Sequence, residues 1–430
     1  MYHEQIVQNA QEKLEGNPGI KAVFPAGLQR LPVDTCRGYV RRLAEVVDDK
    51  GERVRKLTSD EEAFIANERL LYKIDFRYGC ERYMMVNKGG QKLEPLFPLW
   101  ESQEIVLREM GRIQLERQQT KHPDGILLDV LKARQLGLST FGQALNCHRV
   151  SSHSYVSSLI AGDVPDQSGY IFEMLERNLE NLPWWLKPDE LLHQRTGEHR
   201  RIELANKSIV RMDSGKSMRG QLADEAGSGK GKKGELGRGK TYSLVFLTEL
   251  ATWERPEQLD GGLFPGIPYT ALTLAILEST AKGRHNWWHK MWQRAVRGTD
   301  RWLPIFIPWY AERSKYWLPA SGGWIPSQTT LEHAKRCELE GPKWLRKSVR
   351  LTREQLFWYE QKRKAFEDDG RLADFLSEYP AEPEESFQFS GRSIFPLHVR
   401  ERIKAQAKPL IDVWSCEPAK DIAILRGTHG

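Results

Sequence analysis

The sequence predicts an α/β fold, in which a mostly parallel sheet has helices on both faces and a mainly helical region follows. Three short segments, at 126–133, 242–250 and 270–280, are almost entirely apolar, and helical periodicity lies between them. A strand buried inside a parallel sheet has this pattern, because neither of its faces meets water. Beyond Gly322 the spacing of apolar residues is mainly helical.

The individual elements follow from local signals along the chain. An amphipathic helix is predicted over 58–74, with Thr58 as its N-cap, because a hydroxyl there can accept a hydrogen bond from the first turn. Pro183 ends the helix predicted over 168–182. The other predicted elements are helices at 100–119, from Ser139 onward and at 351–369, strands at 126–133, 153–163, 242–250, 270–280 and 421–427, and a hairpin at 202–213.

The composition is that of an ordinary globular protein. Hydrophobic residues make up 40% and charged residues 28% of the 430 residues, which excludes fibrous and disordered classes. The longest apolar stretch is far shorter than the ~20 residues that span a bilayer, and the N-terminus lacks an apolar signal core. Five scattered cysteines without a C-x-x-C pair argue against a disulfide framework and a cysteine zinc site.

Positive charge is concentrated in one glycine-rich stretch. The formal net charge of +6 is small for a protein that binds nucleic acid, but nine Lys and Arg residues face four Asp and Glu residues between Asn206 and Thr241. Such a local excess of positive charge is a candidate contact for phosphates. A solvated loop with the same composition is the alternative.

One segment, from Gly234 to Thr241, matches the phosphate-loop pattern G-x-x-x-x-G-K-[ST] literally. A working phosphate loop follows a strand and precedes a helix, because the free N–H groups at the helix N-terminus point at the phosphates. Here no strand is predicted before the segment, and a strand rather than a helix follows from Tyr242. We therefore expect that this segment is not the phosphate loop.

A second candidate loop has fewer matching letters but the required context. It begins at Lys132, at the end of a predicted strand, and a helix continues from it. Gly137 and Ser139 occupy the last glycine and the hydroxyl position of the pattern, whereas Leu138 stands where the lysine is usual. Lys132 and Arg134 offer cations for the phosphates, and the Ser139 hydroxyl is a possible Mg²⁺ ligand. An ordinary strand–turn–helix is the alternative.

Two further strands end in polar residues. Glu249 follows the strand predicted over 242–250 and resembles the acidic residue of a Walker B strand, which polarises water for attack on a phosphate. Thr248 replaces the aspartate that usually precedes it. Ser279 and Thr280 end the next strand. Open α/β sheets bind ligands at the carboxyl ends of their strands, so these polar ends are expected to form one site.

The motifs together resemble the large terminase subunit of tailed double-stranded DNA bacteriophages. They are PLWESQ, KARQLGLST, GRGKTYSLVFLTELATW, LAILESTAKG, IFIPWY and FLSEYPAEPEESFQFSG, in this order over residues 91–395. The resemblance is weaker in the first ninety residues. It implies a P-loop NTPase of the ASCE or RecA-like type, in which an N-terminal ATPase drives DNA into a capsid and a C-terminal domain is an RNase H-like nuclease.

The resemblance also implies roles for single residues. Gln103 matches the glutamine that reads adenine, Lys132 the displaced lysine of deviant phosphate loops, and Arg134 the loop arginine. Glu249 matches the catalytic glutamate, and Arg238 the arginine offered to a neighbouring subunit's nucleotide. The residues predicted to bind ATP are Gln103, Lys132, Arg134, Gln135, Gly137, Leu138, Ser139 and Thr140. The predicted catalytic residues are Glu249, Arg238 and Arg134, and Ser279 and Thr280 are predicted to couple hydrolysis to movement. Ser139 and Thr248 are the predicted Mg²⁺ contacts.

The same resemblance implies domains, partners and a location. The expected regions are an N-terminal extension or lid part at 1–90, a P-loop ATPase core at 91–320, and a helical lid and linker at 321–430. The implied cofactor is Mg²⁺ with ATP. The implied partners are double-stranded DNA, the portal protein, the small terminase subunit and further copies of the chain in a pentameric ring. No membrane is implied. The implied location is the host cytoplasm during virion assembly. Because no new acidic cluster follows Phe395, we expect the nuclease to be absent and the chain to be the ATPase portion of a longer protein.

Two other functions remain open from the sequence. A helicase-like ATPase would share the adenine-reading glutamine and the sheet, and strand separation would distinguish it. A DNA-binding module with a degenerate nucleotide site would agree with Leu138 and Thr248, and it would show no magnesium-dependent ATP turnover.

Overall fold

Eight strands form one sheet in the computed structural model. They are β1 (Ile126–Lys132), β2 (Ser157–Gly162), β3 (Glu190–Gln194), β4 (Arg201–Leu204), β5 (Ile209–Ser214), β6 (Leu244–Thr248), β7 (Leu274–Ser279) and β8 (Leu303–Ile307). Their order across the sheet is β3-β4-β5-β2-β6-β7-β1-β8. The six strands from β5 to β8 in this order are parallel, and β4 and β3 continue the sheet in antiparallel pairing.

Helices surround this sheet. The structure describes residues 30–48, 51–86, 97–122, 124–194, 200–215, 239–340, 350–387, 412–418 and 423–429. Within these residues the helices are α1 (Val33–Ala44), α2 (Ser59–Ile74), α3 (Phe76–Tyr83), α4 (Glu101–Thr120), α5 (Leu138–Ser152), α6 (Pro165–Asn181), α7 (Gln258–Gly261), α8 (Trp287–Arg297), α9 (Gln328–Glu340), α10 (Arg353–Asp368), α11 (Leu372–Glu378) and α12 (Pro383–Ser386). No helix of these residues has both the length and the hydrophobicity that a membrane span requires.

The central strands are covered on both faces. Every residue of β1, β6 and β7 is buried, which explains why these segments are apolar without alternation. Helices α4 and α8 contact β1 and β8, and α5 contacts β6. At Gly142 on α5, a Cβ would lie 2.2 Å from the Phe246 ring. Glycine at this position therefore allows α5 to approach β6 closely.

A large hydrophobic cluster, which includes several tryptophans, packs on one face of the sheet. Leu127 of β1 and Leu277 of β7 belong to the same buried cluster as Trp288, Met291 and Trp302. Each fully buried side chain of this size contributes roughly 1.5–3 kcal/mol of hydrophobic free energy. Trp288 and Trp302 are thus part of the hydrophobic core.

The N-terminal helices pack against the helix that follows β1. Helices α2 and α3 both contact α5, and the Tyr72 and Ser151 hydroxyls are 2.8 Å apart. The predicted N-cap of α2 is confirmed: the Thr58 hydroxyl accepts a hydrogen bond from the Glu61 N–H at 3.3 Å, and the Glu61 carboxylate accepts one from the Thr58 N–H. Segments from the predicted N-terminal extension therefore support α5.

The chain divides into two compact units, Met1–Gln388 and Phe389–Gly430. The first contains the sheet and all the helices named above. In the second, β9 (Asp412–Pro418) and β10 (Ala423–His429) form an antiparallel pair. β10 corresponds to the strand predicted at 421–427.

The predicted fold class is confirmed. The sheet is mostly parallel, helices lie around it, and one strand, β7, is inserted between β1 and β6. Two strands of this sheet were not predicted. β3 is largely exposed and so lacks an apolar run, while β8 contains Pro304 and lies at the sheet edge, where proline is tolerated.

Candidate active site

A tight loop connects β1 to α5. Gln135 and Gly137 have positive φ angles of 56° and 71°, and a Cβ on Gly137 would lie 2.8 Å from the Gln103 side-chain nitrogen. Gly137 is also the N-cap of α5 and has no side chain to cap it. Because the first N–H groups of a helix lack partners within it, this N-terminus is suited to receive a phosphate. The strand–loop–helix arrangement expected here is present.

Lys132, the last residue of β1, faces two glutamates: Glu278 on the adjacent strand β7, and Glu249, which directly follows β6. Its Nζ lies 3.2 Å from Glu249 Oε1 and 3.1 Å from Glu278 Oε2. The lysine side chain is 6% exposed, Glu249 is 27% exposed and Glu278 is fully buried. The ammonium group thus connects the end of β1 with the ends of β6 and β7.

The two carboxylates keep Lys132 charged. Burial lowers the pKa of the lysine, but Glu249 and Glu278 raise it by more, so that it lies above its ordinary value. Burial raises the pKa of Glu278, and the nearby Lys132 partly opposes this shift. Lys132 is therefore a permanent cation near the N-terminus of α5.

Glu249 leaves the sheet in an unusual backbone conformation. Its φ angle is 55°, in the left-handed region that costs a non-glycine residue roughly 1–2 kcal/mol. The Thr252 N–H and hydroxyl both donate to the Glu249 carbonyl, at 3.0 and 2.7 Å. These bonds stabilise the turn. In this conformation the Glu249 carboxylate reaches Lys132 and remains partly exposed to solvent. Strained backbone of this kind is concentrated at functional sites.

The hydroxyls of the predicted metal positions both donate to Glu278. The Thr248 hydroxyl donates to Glu278 Oε1, and the Ser139 hydroxyl donates to the same oxygen at 3.5 Å. Sequence reasoning did not select Glu278, although a glutamate at the end of an apolar strand was a usable signal. Among the described residues no group of three His, Cys, Asp or Glu side chains is arranged as a metal site.

The predicted coupling residues lie at the same edge of the sheet. The buried Ser279 hydroxyl accepts a hydrogen bond from the Ala251 N–H at 3.0 Å. This bond ties the end of β7 to the segment that follows Glu249. Thr280 is the next residue and is half-buried. The coupling role itself stays a prediction.

Gln103 supports the loop in this conformation. Its side-chain oxygen accepts from the Trp100 N–H at 2.9 Å, and its side-chain nitrogen donates to the Gly137 carbonyl at 2.8 Å. The Ser102 hydroxyl donates to the Leu136 carbonyl at 2.9 Å. The start of α4 therefore braces the loop, and adenine reading by Gln103 stays a prediction.

Arg134 contacts the helical region rather than Glu249 and Glu278. Its guanidinium pairs with the Glu378 carboxylate at the end of α11, and its N–H donates to the Glu378 carbonyl at 2.9 Å. The Tyr316 hydroxyl donates to the Arg134 carbonyl. The side chain of Arg134 is 54% exposed, so it is accessible to a ligand.

The remaining predicted residues are distributed as follows. Leu138 is buried, Thr140 is half-buried and Gln135 is exposed. Arg238 and most of the basic stretch lie outside the described residues. At the literal motif match, residues from Gly239 onward lead into β6 without a helix, as the sequence predicts.

Comparison with solved structures gives matches among phage large terminases. The ATPase domain of the Thermus phage P74-26 large terminase is 16% identical, with a TM-score of 0.30, over 57% of this chain and 91% of that one. The HK97 bacteriophage large terminase is 11% identical, with a TM-score of 0.40, over 70% of this chain and 54% of that one. A large terminase from a thermophilic bacteriophage, in complex with ADP, is 11% identical, with a TM-score of 0.31, over 52% and 47% of the two chains.

This chain is similar to large terminases. It spans about half the length of the HK97 and thermophilic-phage large terminase chains that it matches. No protein-family model matches the chain, and no curated protein matches it.

Proposed function

We propose that this chain is the ATPase motor of a viral DNA-packaging terminase, which hydrolyses ATP to move double-stranded DNA into a procapsid. The observation that carries the proposal is the ion pair between Lys132 Nζ and Glu249 Oε1, 3.2 Å apart at the start of the loop that leads into α5. A phosphate-binding cation and a water-activating carboxylate are two of the groups that catalyse phosphoryl transfer to water. The order of the terminase-like motifs supports the same function.

The geometry supports a division of work between these two residues. Phosphate oxygens bound at the N-terminus of α5 would become partners of the Lys132 ammonium group. Glu249 would then be released from its ion pair and could accept a proton from the attacking water. Glu278 stays beside Lys132, so the lysine keeps one carboxylate partner while it binds phosphate. This exchange of partners would make the base available only when nucleotide is present.

The family-implied Mg²⁺ fits the residues at this site. When bound with ATP it neutralises charge on the β- and γ-phosphate oxygens. The Ser139 and Thr248 hydroxyls and the Glu278 carboxylate offer only oxygen donors, which Mg²⁺ prefers. Ser139 and Thr248 would hold the ion, directly or through water. The described residues therefore agree with a magnesium nucleotide.

The proposed partners are double-stranded DNA, the portal protein, the small terminase subunit and further copies of this chain in a ring. They follow from the motif resemblance. Arg238, from the basic stretch, is proposed to contact the nucleotide of a neighbouring copy. Movement of DNA into a procapsid requires such an assembly, so the motor function belongs to the ring rather than to one subunit.

The phosphate loop is tested by two lysine variants of the full chain. Lys132→Ala should abolish magnesium-dependent ATP turnover, because it removes the cation at the loop, whereas Lys240→Ala should keep nucleotide affinity and turnover. Turnover is measured by phosphate release and affinity with a fluorescent ATP analogue. Loss of affinity in Lys240→Ala alone would show that the literal motif is the phosphate loop after all.

The effect of ATP hydrolysis on duplex DNA distinguishes the proposed motor from the two alternative functions. A terminase motor should displace a triplex-forming strand from duplex DNA with ATP and leave the duplex paired. Separation of the duplex strands would indicate a helicase-like ATPase. DNA binding without any ATP turnover would indicate a DNA-binding module with a degenerate nucleotide site.

A further inference from the structure

Glu278 occupies a position between the two strands that carry the proposed chemistry. Its Cα pairs with Val130 of β1 on one side and with Thr248 of β6 on the other. Residues at the same level of neighbouring strands project to the same face of a sheet. The Glu278 carboxylate therefore lies on the same face of the sheet as the Lys132 and Thr248 side chains, at the carboxyl ends of the strands.

Three donors from three different elements converge on this one carboxylate. Oε1 accepts from the Thr248 hydroxyl and from the Ser139 hydroxyl at 3.5 Å. Oε2 lies 3.1 Å from Lys132 Nζ and accepts no other hydrogen bond among the described residues. The side chain is fully buried. A buried carboxylate costs several kcal/mol unless it is well compensated. The three donors compensate Glu278, and its Oε2 can accept from a further donor.

The bonds to Glu278 prepare the two hydroxyls for a cation. A hydroxyl has one proton and two lone pairs. Since the Ser139 and Thr248 protons are directed to Glu278 Oε1, their lone pairs remain available for a metal ion or its water. Thr248 itself brings no negative charge, although the resemblance predicts an aspartate there. Glu278 brings that charge from the neighbouring strand.

We propose that Glu278 supplies the carboxylate that Thr248 lacks and holds the Mg²⁺ of the bound nucleotide, by orienting Ser139 and Thr248 and by accepting hydrogen bonds from metal-bound water. This inference rests on the proposed nucleotide site. Magnesium keeps several waters when it binds proteins, and carboxylates that accept from such outer-sphere groups contribute to metal affinity. The competing role for Glu278 is to neutralise Lys132 only.

The two roles differ in what Glu278→Gln does to metal and to nucleotide. The full chain is saturated with a non-hydrolysable ATP analogue, and Mn²⁺ affinity is measured by electron paramagnetic resonance. Nucleotide affinity without metal is measured in EDTA with a fluorescent analogue. We expect Mn²⁺ affinity to fall by about 10-fold or more, the range for outer-sphere ligand loss, while metal-free nucleotide affinity changes little.

A matched control and a rescue complete the test. Glu360 is a carboxylate on α10 that accepts from the Thr330 hydroxyl and the Trp324 side chain, away from β7. Glu360→Gln should leave Mn²⁺ affinity unchanged. In the Glu278→Gln background, Thr248→Asp should restore Mn²⁺ affinity, because a carboxylate then returns to the adjacent strand.

The inference is overturned if Glu278→Gln keeps its Mn²⁺ affinity while nucleotide affinity in EDTA falls, since Glu278 would then serve Lys132 alone. If Glu278→Gln does not fold, Thr248→Val keeps the shape of the site and removes one oriented hydroxyl. A several-fold loss of Mn²⁺ affinity in that variant supports the inference, and unchanged affinity contradicts it. If the unmodified chain binds no nucleotide at all, the proposed function fails first, which separates the two results.

Discussion

At the scale of single residues, the site depends on a glutamate in a costly backbone conformation. Glu249 has a φ of 55°, and its carboxylate shares Lys132 with the fully buried Glu278. The two carboxylates differ in exposure: Glu249 is reached by solvent and Glu278 is not. A water molecule can therefore approach Glu249, as its proposed role of general base requires. The buried Glu278 is suited to hold the Lys132 ammonium group in place.

We expect Glu249→Gln to bind ATP but to hydrolyse it ~100-fold or more slowly, the usual loss when a general base is removed. The amide keeps the size of the side chain, and Lys132 retains Glu278 as its partner. Phosphate release and fluorescent-nucleotide binding measure the two effects. Glu257→Gln, an exposed glutamate further along the same segment, is the control and should be fully active. Normal turnover in Glu249→Gln would assign the base to another residue.

At the scale of elements, the loop between β1 and α5, which is the proposed phosphate loop, is attached to the helical region after Gly322. The Arg134 N–H donates to the Glu378 carbonyl at 2.9 Å, and the Trp309 N–H donates to the Pro380 carbonyl at 3.2 Å. The Arg134 guanidinium also pairs with the Glu378 carboxylate. Movement of α11 relative to the sheet would thus act on the loop directly. A phosphate that contacts Arg134 would compete with Glu378 for the guanidinium.

We expect Glu378→Gln to increase nucleotide affinity modestly, because a carboxylate no longer competes with phosphate for the Arg134 guanidinium. An exposed pair contributes about 0–1 kcal/mol, which corresponds to at most about fivefold in affinity. Titration with a fluorescent ATP analogue at low and high salt measures the change, which should shrink at high salt. Glu367→Gln removes a comparable exposed partner, that of Arg363 on α10, and should have no effect. Weaker binding in Glu378→Gln would mean that Glu378 positions Arg134 for the nucleotide.

At the scale of the whole molecule, the proposed motor needs more than one copy of the chain. The motif resemblance assigns Arg238 to the nucleotide of a neighbouring subunit, and the sequence places it between glycines in a lysine-rich stretch. An arginine that reaches the γ-phosphate in the transition state accelerates hydrolysis by roughly 10³–10⁵ in other nucleotide hydrolases. Such a contact across an interface would link hydrolysis to assembly.

We expect Arg238→Ala and Glu249→Gln to be nearly inactive separately and to regain part of the activity when they are mixed. In mixed assemblies, some interfaces combine an intact Arg238 with an intact Glu249. The specific activity of the unmodified chain should also rise with protein concentration. Phosphate release across a mixing series measures both effects. An absence of rescue at every ratio and concentration would indicate that Arg238 has a structural role within its own subunit.

The sequence by itself determined the elements that build the site. Continuous apolar runs identified β1, β6 and β7, because complete burial removes the need for polar alternation. The segment Gly234–Thr241 precedes a strand instead of a helix, which favours the loop at Lys132, and the polar end of β6 predicts Glu249. These features are local, so neighbouring residues in the chain are enough to reveal them.

Only the tertiary structure decided which of these ends meet. The insertion of β7 between β1 and β6 brings Glu278 beside Lys132, Ser139 and Thr248, and no local pattern specifies the order of strands in a sheet. The contact between Arg134 and Glu378 likewise joins residues 244 positions apart. Strand order and helix docking depend on the burial of whole surfaces, which is a property of the complete fold and not of any one segment.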